Sequence, residues 1–291
     1  MRLTALLIWL IASATFATEF HDTLKLAEEG SANAQLDLGL MYDYGDGVPK
    51  HGKKAIEWYL KAAKQGHPEA QYVLGVAYRY GRNVQEDDKK AFNWYLKAAQ
   101  QGHASAQHML ANMYDYGRSV PTNHKEAIKW YLEAAQQGYM NSQSTLGWHY
   151  RGGTAGLIKD DREALKWYLK AAEQGNPQAQ YTVGSLYELG RGTPKNDRKS
   201  VKWYLRAAKN GYLNARNALA SKYEKGEGVP EDVILAYVWY SLAKFDRKST
   251  YSSSDARKSL KLLKQKITEQ QITEGQIRLQ KCYRSGLTEC D

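Results

Sequence analysis

The residues that could do chemistry in this chain are few. Ser241-Leu242-Ala243-Lys244 has the S-x-x-K spacing, about one helical turn, at which a lysine amine can help activate a serine nucleophile for acyl transfer. Neither S-D-N nor K-T-G occurs elsewhere, and the four residues fall where other parts of the chain carry a plain stretch such as Leu60-Lys-Ala-Ala63. Of the histidines, His67 and His103 lie 36 residues apart in matching contexts, while His21, His51, His108, His124 and His149 are scattered. None pairs with cysteine or acid at a ligand spacing, so no metal site is expected. The segment Asp43-Tyr-Gly-Asp-Gly47 lacks the spaced oxygens and closing glutamate of a calcium loop. Cys282 and Cys290 stand eight residues apart with Gly286 between them. In an oxidising compartment they would close a short C-terminal loop as a disulfide; otherwise they are two thiols near the chain end.

The elements that carry these residues repeat. Trp58, Trp94, Trp130, Trp167, Trp203 and Trp239 are spaced 36, 36, 37, 36 and 36 residues apart, each followed by a tyrosine. An alanine stands three residues before each tryptophan, with Ser200 as the exception. A second series keeps the same register: Gly39, Gly75, Ala111, Gly147, Gly184 and Ala220, each followed three residues on by tyrosine. Ala34, Leu38, Gly39 and Tyr42 fall on one face of a helix, as do Ala55, Trp58, Tyr59 and Ala62, which predicts two helices per repeat. Small residues let the two backbones approach, and the tryptophans are expected to fill the space between neighbouring hairpins.

Gly45, Gly81, Gly117, Gly153, Gly190 and Gly226 end the first helix of each repeat, where a left-handed C-cap suits glycine. These loops follow helices and no strand precedes them, so they are not phosphate cradles. The fourth repeat has one extra residue in Gly152-Gly153-Thr154-Ala155-Gly156-Leu157-Ile158, which predicts an irregular loop and a bend.

The combined pattern A-Q-x-x-L-G-x-x-Y, G-x-G-V, K-A-x-x-W-Y-x-K-A-A-x-Q-G resembles the Sel-one-like repeat (SLR) family, relatives of tetratricopeptide repeats, over about residues 20 to 244. The resemblance implies an all-α fold, a right-handed α-solenoid (superhelix) of tandem antiparallel helix pairs, whose concave surface holds protein segments or peptides. It also implies an adaptor, in bacteria one serving the envelope or host contact. Some relatives have carried a β-lactamase description, so a penicillin-interacting hydrolase is the least favoured reading, and no enzyme activity and no cofactor are expected.

The expected organisation is a signal peptide at 1–17, a capping helix at 18–30, repeats at 31–66, 67–102, 103–138, 139–175, 176–211 and 212–247, and capping helices at 248–291. The signal reading rests on Arg2, the apolar run from Leu3 to Ile11 and the small residues Ala12, Ser13, Ala14 and Ala17. It predicts cleavage after Ala14 or Ala17 and a periplasmic or secreted monomer. No stretch is apolar enough over about 20 residues to span a membrane. At the other end, a helix opening at Ser254 is expected to carry Leu260, Leu263 and Ile267, after a polar linker from Lys248. Thr268 to Gln271 forms a capping-box start for the last helix.

The net charge of +10 is modest, and residues 244–291 hold 11 Lys+Arg against 6 Asp+Glu, so about half the excess sits in the tail. The repeats mix both signs, which argues against a nucleic-acid partner.

With the stripe assigned to the core, the partner-binding candidates are first-helix positions that vary from repeat to repeat. Tyr44, Tyr80 and Tyr116 recur in one register, Asn112 and Trp148 in another, and His149 adjoins Trp148. Exposed aromatics are typical anchors for a protein or peptide, although packing between repeats would account for the same residues. The alternative ligand is a glycan or cell-wall polymer.

Overall fold

The computed structural model describes residues 18–244, 250–287 and 290, with backbone alone at 250–253. The expected signal peptide at 1–17 lies outside the described residues. Fifteen helices and no strand stand among the described residues. α1 spans residues 18–28. The repeats follow as α2 (Ala32–Tyr44) with α3 (Gly52–Lys64), α4 (Pro68–Tyr80) with α5 (Asp88–Gln100), and α6 (Ala104–Tyr116) with α7 (His124–Gln136). Next come α8 (Met140–Gly152) with α9 (Asp161–Glu173), α10 (Pro177–Leu189) with α11 (Asp197–Lys209), and α12 (Leu213–Lys225) with α13 (Val233–Lys244). α14 (Thr250–Lys264) and α15 (Glu269–Arg284) complete the chain. It divides into two compact units between Ser142 and Gln143.

Each helix pair is closed by the same local chemistry. The residue after the first helix takes a left-handed conformation, as at Gly45 (φ 84°) and Gly81 (φ 64°), and its N–H caps a carbonyl four residues back. Two residues on, the chain is left-handed again, and at Asn83, Ser119 and Ala155 a side chain is carried there without glycine's freedom. The loop then returns the N–H of the next N-cap to a first-helix tyrosine carbonyl, as from Asp87 to Tyr78 and from Asn196 to Tyr187. In the fourth repeat Asp160 reaches Tyr150 at 2.9 Å. The extra residue is therefore absorbed inside the loop, where Gly156 adopts φ 77°, and the closing hydrogen bond survives.

The Trp-Tyr pair divides its roles: Trp94 and Trp130 pack against the cluster of the preceding repeat, as expected, while the tyrosines are buried more deeply. Tyr59, Tyr95, Tyr131 and Tyr204 are among the largest fully buried side chains, whereas five of the six tryptophans are half-buried and only Trp239 is fully enclosed. The tyrosine ring lies against the first-helix glycine: a Cβ on Gly39, Gly75 or Gly184 would sit 2.5–2.6 Å from the nearest ring carbon of Tyr59, Tyr95 or Tyr204. Glycine is there to admit the ring. The outer edge of the tryptophans is covered by a cation one helical turn on, Lys61 at 3.5 Å from the Trp58 ring centre, Lys97 at 4.6 Å from Trp94 and Lys170 at 4.3 Å from Trp167. In the third repeat Glu133 occupies that position, and Lys129 stands 5.4 Å from the Trp130 ring centre.

Glutamine side chains join successive repeats. Gln71, buried, donates to Ala63 O at 3.1 Å and accepts from Gln101 Nε2 at 2.8 Å; Gln107 repeats both bonds with Ala99 and Gln137. In the second unit Gln180 does the same with Ala172 and Asn210. Each glutamine satisfies a carbonyl at the end of the preceding second helix, one of the groups a helix terminus leaves open.

The terminal helices cover the ends of their units. In the first unit Ala27 of α1 packs with Ala34 and Leu38, flanked by Phe20 and Leu24. In the second unit α13 is buried at every residue from Leu235 to Ala243, because α12, α14 and α15 surround it. Leu260 and Leu263 are buried and Ile272 and Leu279 partly so, while Tyr283 is exposed. α14 begins at Thr250, four residues before the expected Ser254 start. Thr268 and Gln271 form the reciprocal capping box. Cys282 and Cys290 are joined in a disulfide with Cα atoms 4.6 Å apart, both buried beside the α13 cluster.

Candidate binding site

Tyr44, Tyr80 and Tyr116 close α2, α4 and α6, and their rings are 70%, 55% and 68% exposed. Their position at the last residue of a helix explains the exposure, since the following left-handed glycine turns the chain away before anything can cover them. Tyr80 is flanked by guanidinium groups, Arg79 at 5.4 Å and Arg82 at 5.6 Å from its ring centre. Asn112 is half-buried and structural: its Oδ1 accepts from the Tyr131 hydroxyl at 2.6 Å.

Trp148 belongs to the second unit and is 49% exposed, in edge-on contact with His149 at 4.9 Å between ring centres. His149 is 2% exposed, with Nδ1 2.9 Å from Thr154 Oγ1, so it supports the irregular loop and presents no contact surface. The expectation that His149 serves as a groove anchor is thus corrected.

The first unit holds a cavity of about 270 Å³ between α2 and α4, with α3 as its floor. Leu40, Ile56, Val73 and Val76 form its apolar wall, and Asp43, Glu69, Arg82, Tyr44 and Tyr72 its polar side. The Asp43 carboxylate accepts from Asn83 Nδ2 at 2.7 Å. Glu69 Oε2 lies 2.7 Å from His103 Nε2, and that hydrogen bond holds the Glu69 carboxyl below its ordinary range. Tyr59 contributes to the floor, and its hydroxyl is buried beside the Asp43 carboxylate. Burial first, and the Asp43 charge second, push its phenol pKa up, so it stays protonated.

Sequence reasoning missed this cavity because Asp43, Glu69 and Tyr59 come from three helices and no local pattern links them. It also missed His51, His67 and His103 as helix N-caps, each accepting a backbone N–H through Nδ1. That role is visible only once the helix starts are known.

The serine and lysine of the S-x-x-K stretch are separated by environment. Ser241 is buried inside α13 and Lys244 is exposed at its end. Among the described residues no cluster of His, Cys, Asp and Glu could hold a metal ion, and no helix is long and apolar enough to cross a membrane.

Tandem antiparallel helix pairs built on a 36-residue period, with exposed aromatics at the ends of the first helices, define an α-solenoid of helical-hairpin repeats. The Sel1 repeat family matches residues 32–67, 68–103, 104–139, 142–176, 177–212 and 213–244, and the chain belongs to that family. Its proteins are generally scaffolds for protein–protein interaction and are typically non-catalytic.

Among solved structures, the chain is similar to a protective antigen of uropathogenic Escherichia coli displaying an SLR fold, with 28% identity and a TM-score of 0.81. That match covers 94% of this chain and 58% of the antigen, so the chain spans less than two thirds of that relative's length. It is also similar to a Sel1 repeat protein from Oxalobacter formigenes, with 31% identity and a TM-score of 0.66 over 81% of this chain and 98% of that one. No curated protein matches the chain.

Proposed function

We propose that this protein is an exported, non-enzymatic adaptor that holds a protein segment or extended peptide on the face carrying Tyr44, Tyr80 and Tyr116. The observation that carries the reading is the row itself. Three large phenols remain exposed at identical positions of consecutive repeats in the first unit, next to a cavity whose lining includes Tyr44. Rigid aromatic side chains supply contact area at low conformational cost, which is why they dominate binding hot spots. Export rests on the basic, apolar and small-residue pattern of residues 1–17, and a bridged Cys282–Cys290 pair suits an oxidising compartment. Service in the envelope or in host contact is the setting in keeping with the similarity to a protective antigen.

The test is crosslinking of the tagged protein in its native envelope, alongside a Tyr44→Ala/Tyr80→Ala double variant. A distinct protein lost from the variant supports the reading. Equal recovery from both forms refutes the assignment of the surface. Recovery of wall polymer with no protein favours the glycan alternative, for which exposed phenols would also serve.

A further inference from the structure

The second unit holds a cleft of about 430 Å³ between the end of α13 and the last two turns of α14. Lys244 of α13 lines it, with Arg257, Leu260, Lys261 and Lys264 of α14 and Gln265 just beyond. Among the described residues no carboxylate joins that lining. Arg257, Lys261 and Lys264 stand at i, i+4 and i+7 and so share one helix face. Leu260 is buried and supplies apolar surface, and the Lys264 ammonium lies 5.5 Å from the Tyr237 ring centre.

Such a face repels itself, since like charges three and four residues apart on a helix are neighbours. Lysines of the repeats are treated otherwise: Lys90, Lys129 and Lys166 each pair with a carboxylate three residues earlier. Among the described residues no carboxylate pairs with Lys261 or Lys264. The connecting residues 245–249 hold one acid, Asp246, and two bases, Arg247 and Lys248, so the sequence there brings no net compensation. The ends of α13 and α14 contribute about half a negative unit each against four formal positive charges, which leaves an excess of about three.

That excess selects the ligand. A single carboxylate would leave most of the charge uncompensated, and an apolar or cationic group would leave all of it. A phosphomonoester carries close to two negative charges at neutral pH, and a diphosphate more. Its oxygens accept two parallel hydrogen bonds from a guanidinium and single ones from ammonium groups. Leu260 and the aliphatic stems of the lysines can cover an apolar moiety attached to the phosphate.

We infer that this cleft binds a phosphomonoester- or diphosphate-bearing ligand, with Arg257 and Lys261 as its principal anchors. The site belongs to the second unit and stands independently of the adaptor reading.

The experiment titrates the purified full chain with inorganic diphosphate, and separately with acetate, at about 0.15 M salt, where attraction to scattered surface charges is screened. Backbone amide NMR is the readout. Diphosphate is expected to shift residues 257–265 and to bind at least tenfold more tightly than acetate. Arg257→Gln/Lys261→Gln is expected to weaken diphosphate at least tenfold. Lys53→Gln/Lys64→Gln removes the same charge from exposed positions of the first unit and is expected to change nothing. Vesicles then identify the source of the phosphate. Co-sedimentation with phosphatidic acid in phosphatidylcholine, lost in the Arg257/Lys261 variant, assigns a lipid headgroup; diphosphate binding without sedimentation assigns a soluble ligand. Equal, weak binding of diphosphate and acetate, or equal weakening by the two double variants, overturns the site.

Discussion

Replacing Gly75 with alanine tests the central packing claim, that glycine in the first helix exists to admit a tyrosine ring from the second. A Cβ at Gly75 would lie 2.5 Å from both Cδ1 and Cε1 of Tyr95, and 3.1 Å from Cγ. Ordinary contact begins near 3.4 Å, so the ring must retreat by about 1 Å. It has nowhere to go: Tyr95 is fully buried, within a cluster containing Ala91, Ala98 and Leu110. Overpacking of this kind costs about 2–3 kcal/mol. The substitution also removes a mid-helix glycine, which returns about 1 kcal/mol. The expected net loss is therefore about 1–2 kcal/mol. The third repeat supplies a built-in control, because Ala111 already faces its tyrosine, and the Tyr131 ring there is tied to Asn112. Ala111→Gly should also destabilise, by about 1 kcal/mol, from lost helix propensity. Urea unfolding followed by circular dichroism would register both changes as lower midpoints. Hydrogen exchange would localise the first to α4 and α5, which matters because repeat arrays need not unfold in one step. A Gly75→Ala protein as stable as the parent, or more so, would refute the glycine–tyrosine argument.

The buried tyrosines should respond differently to loss of the hydroxyl. Tyr95→Phe removes an oxygen that has no partner and should leave stability unchanged or raise it by up to about 1 kcal/mol, whereas Tyr204→Phe deletes a 2.6 Å bond to Glu188 and should cost about 1.5–3 kcal/mol; urea midpoints decide. Ala155→Gly, which relieves a side chain held at φ 55°, should raise the midpoint by about 0.5–1 kcal/mol after the entropy of the unfolded glycine is deducted. His108 is pushed down to about 4 by burial, so the unfolded chain binds a proton that the folded one refuses between pH 6.5 and 4. Its contribution is present above pH 6.5 and lost as pH falls towards 4, so His108→Gln should flatten the pH dependence of the unfolding midpoint across that window.

How much of this was legible beforehand depends on whether the signal is local or shared. The 36-residue period, the two helices per repeat, the left-handed caps and the Thr268 capping box are written in short-range patterns, because helix periodicity and turn chemistry act within a few residues. The family likeness follows from the same registers. Burial is decided elsewhere. Trp58 and Tyr59 are adjacent on one helix face, and only the approach of α2 through Gly39 determines that the tyrosine enters the core while the tryptophan stays at its edge under Lys61. Tyr44, Tyr80 and Tyr116 could equally have packed between repeats; their exposure depends on where the following glycine sends the chain. His149 reads as a neighbour of an exposed tryptophan, yet a helix turns successive residues by about 100°, and that rotation buries it against Thr154. The cavity needed α2, α3 and α4 together, since no single segment contains its two carboxylates and its buried phenol. The repeating units themselves were thus determined by sequence, through interactions that close within one turn or one loop. The side chains left available for a partner were decided by tertiary packing, because exposure is a property of neighbours that the chain brings in from some 30 residues away.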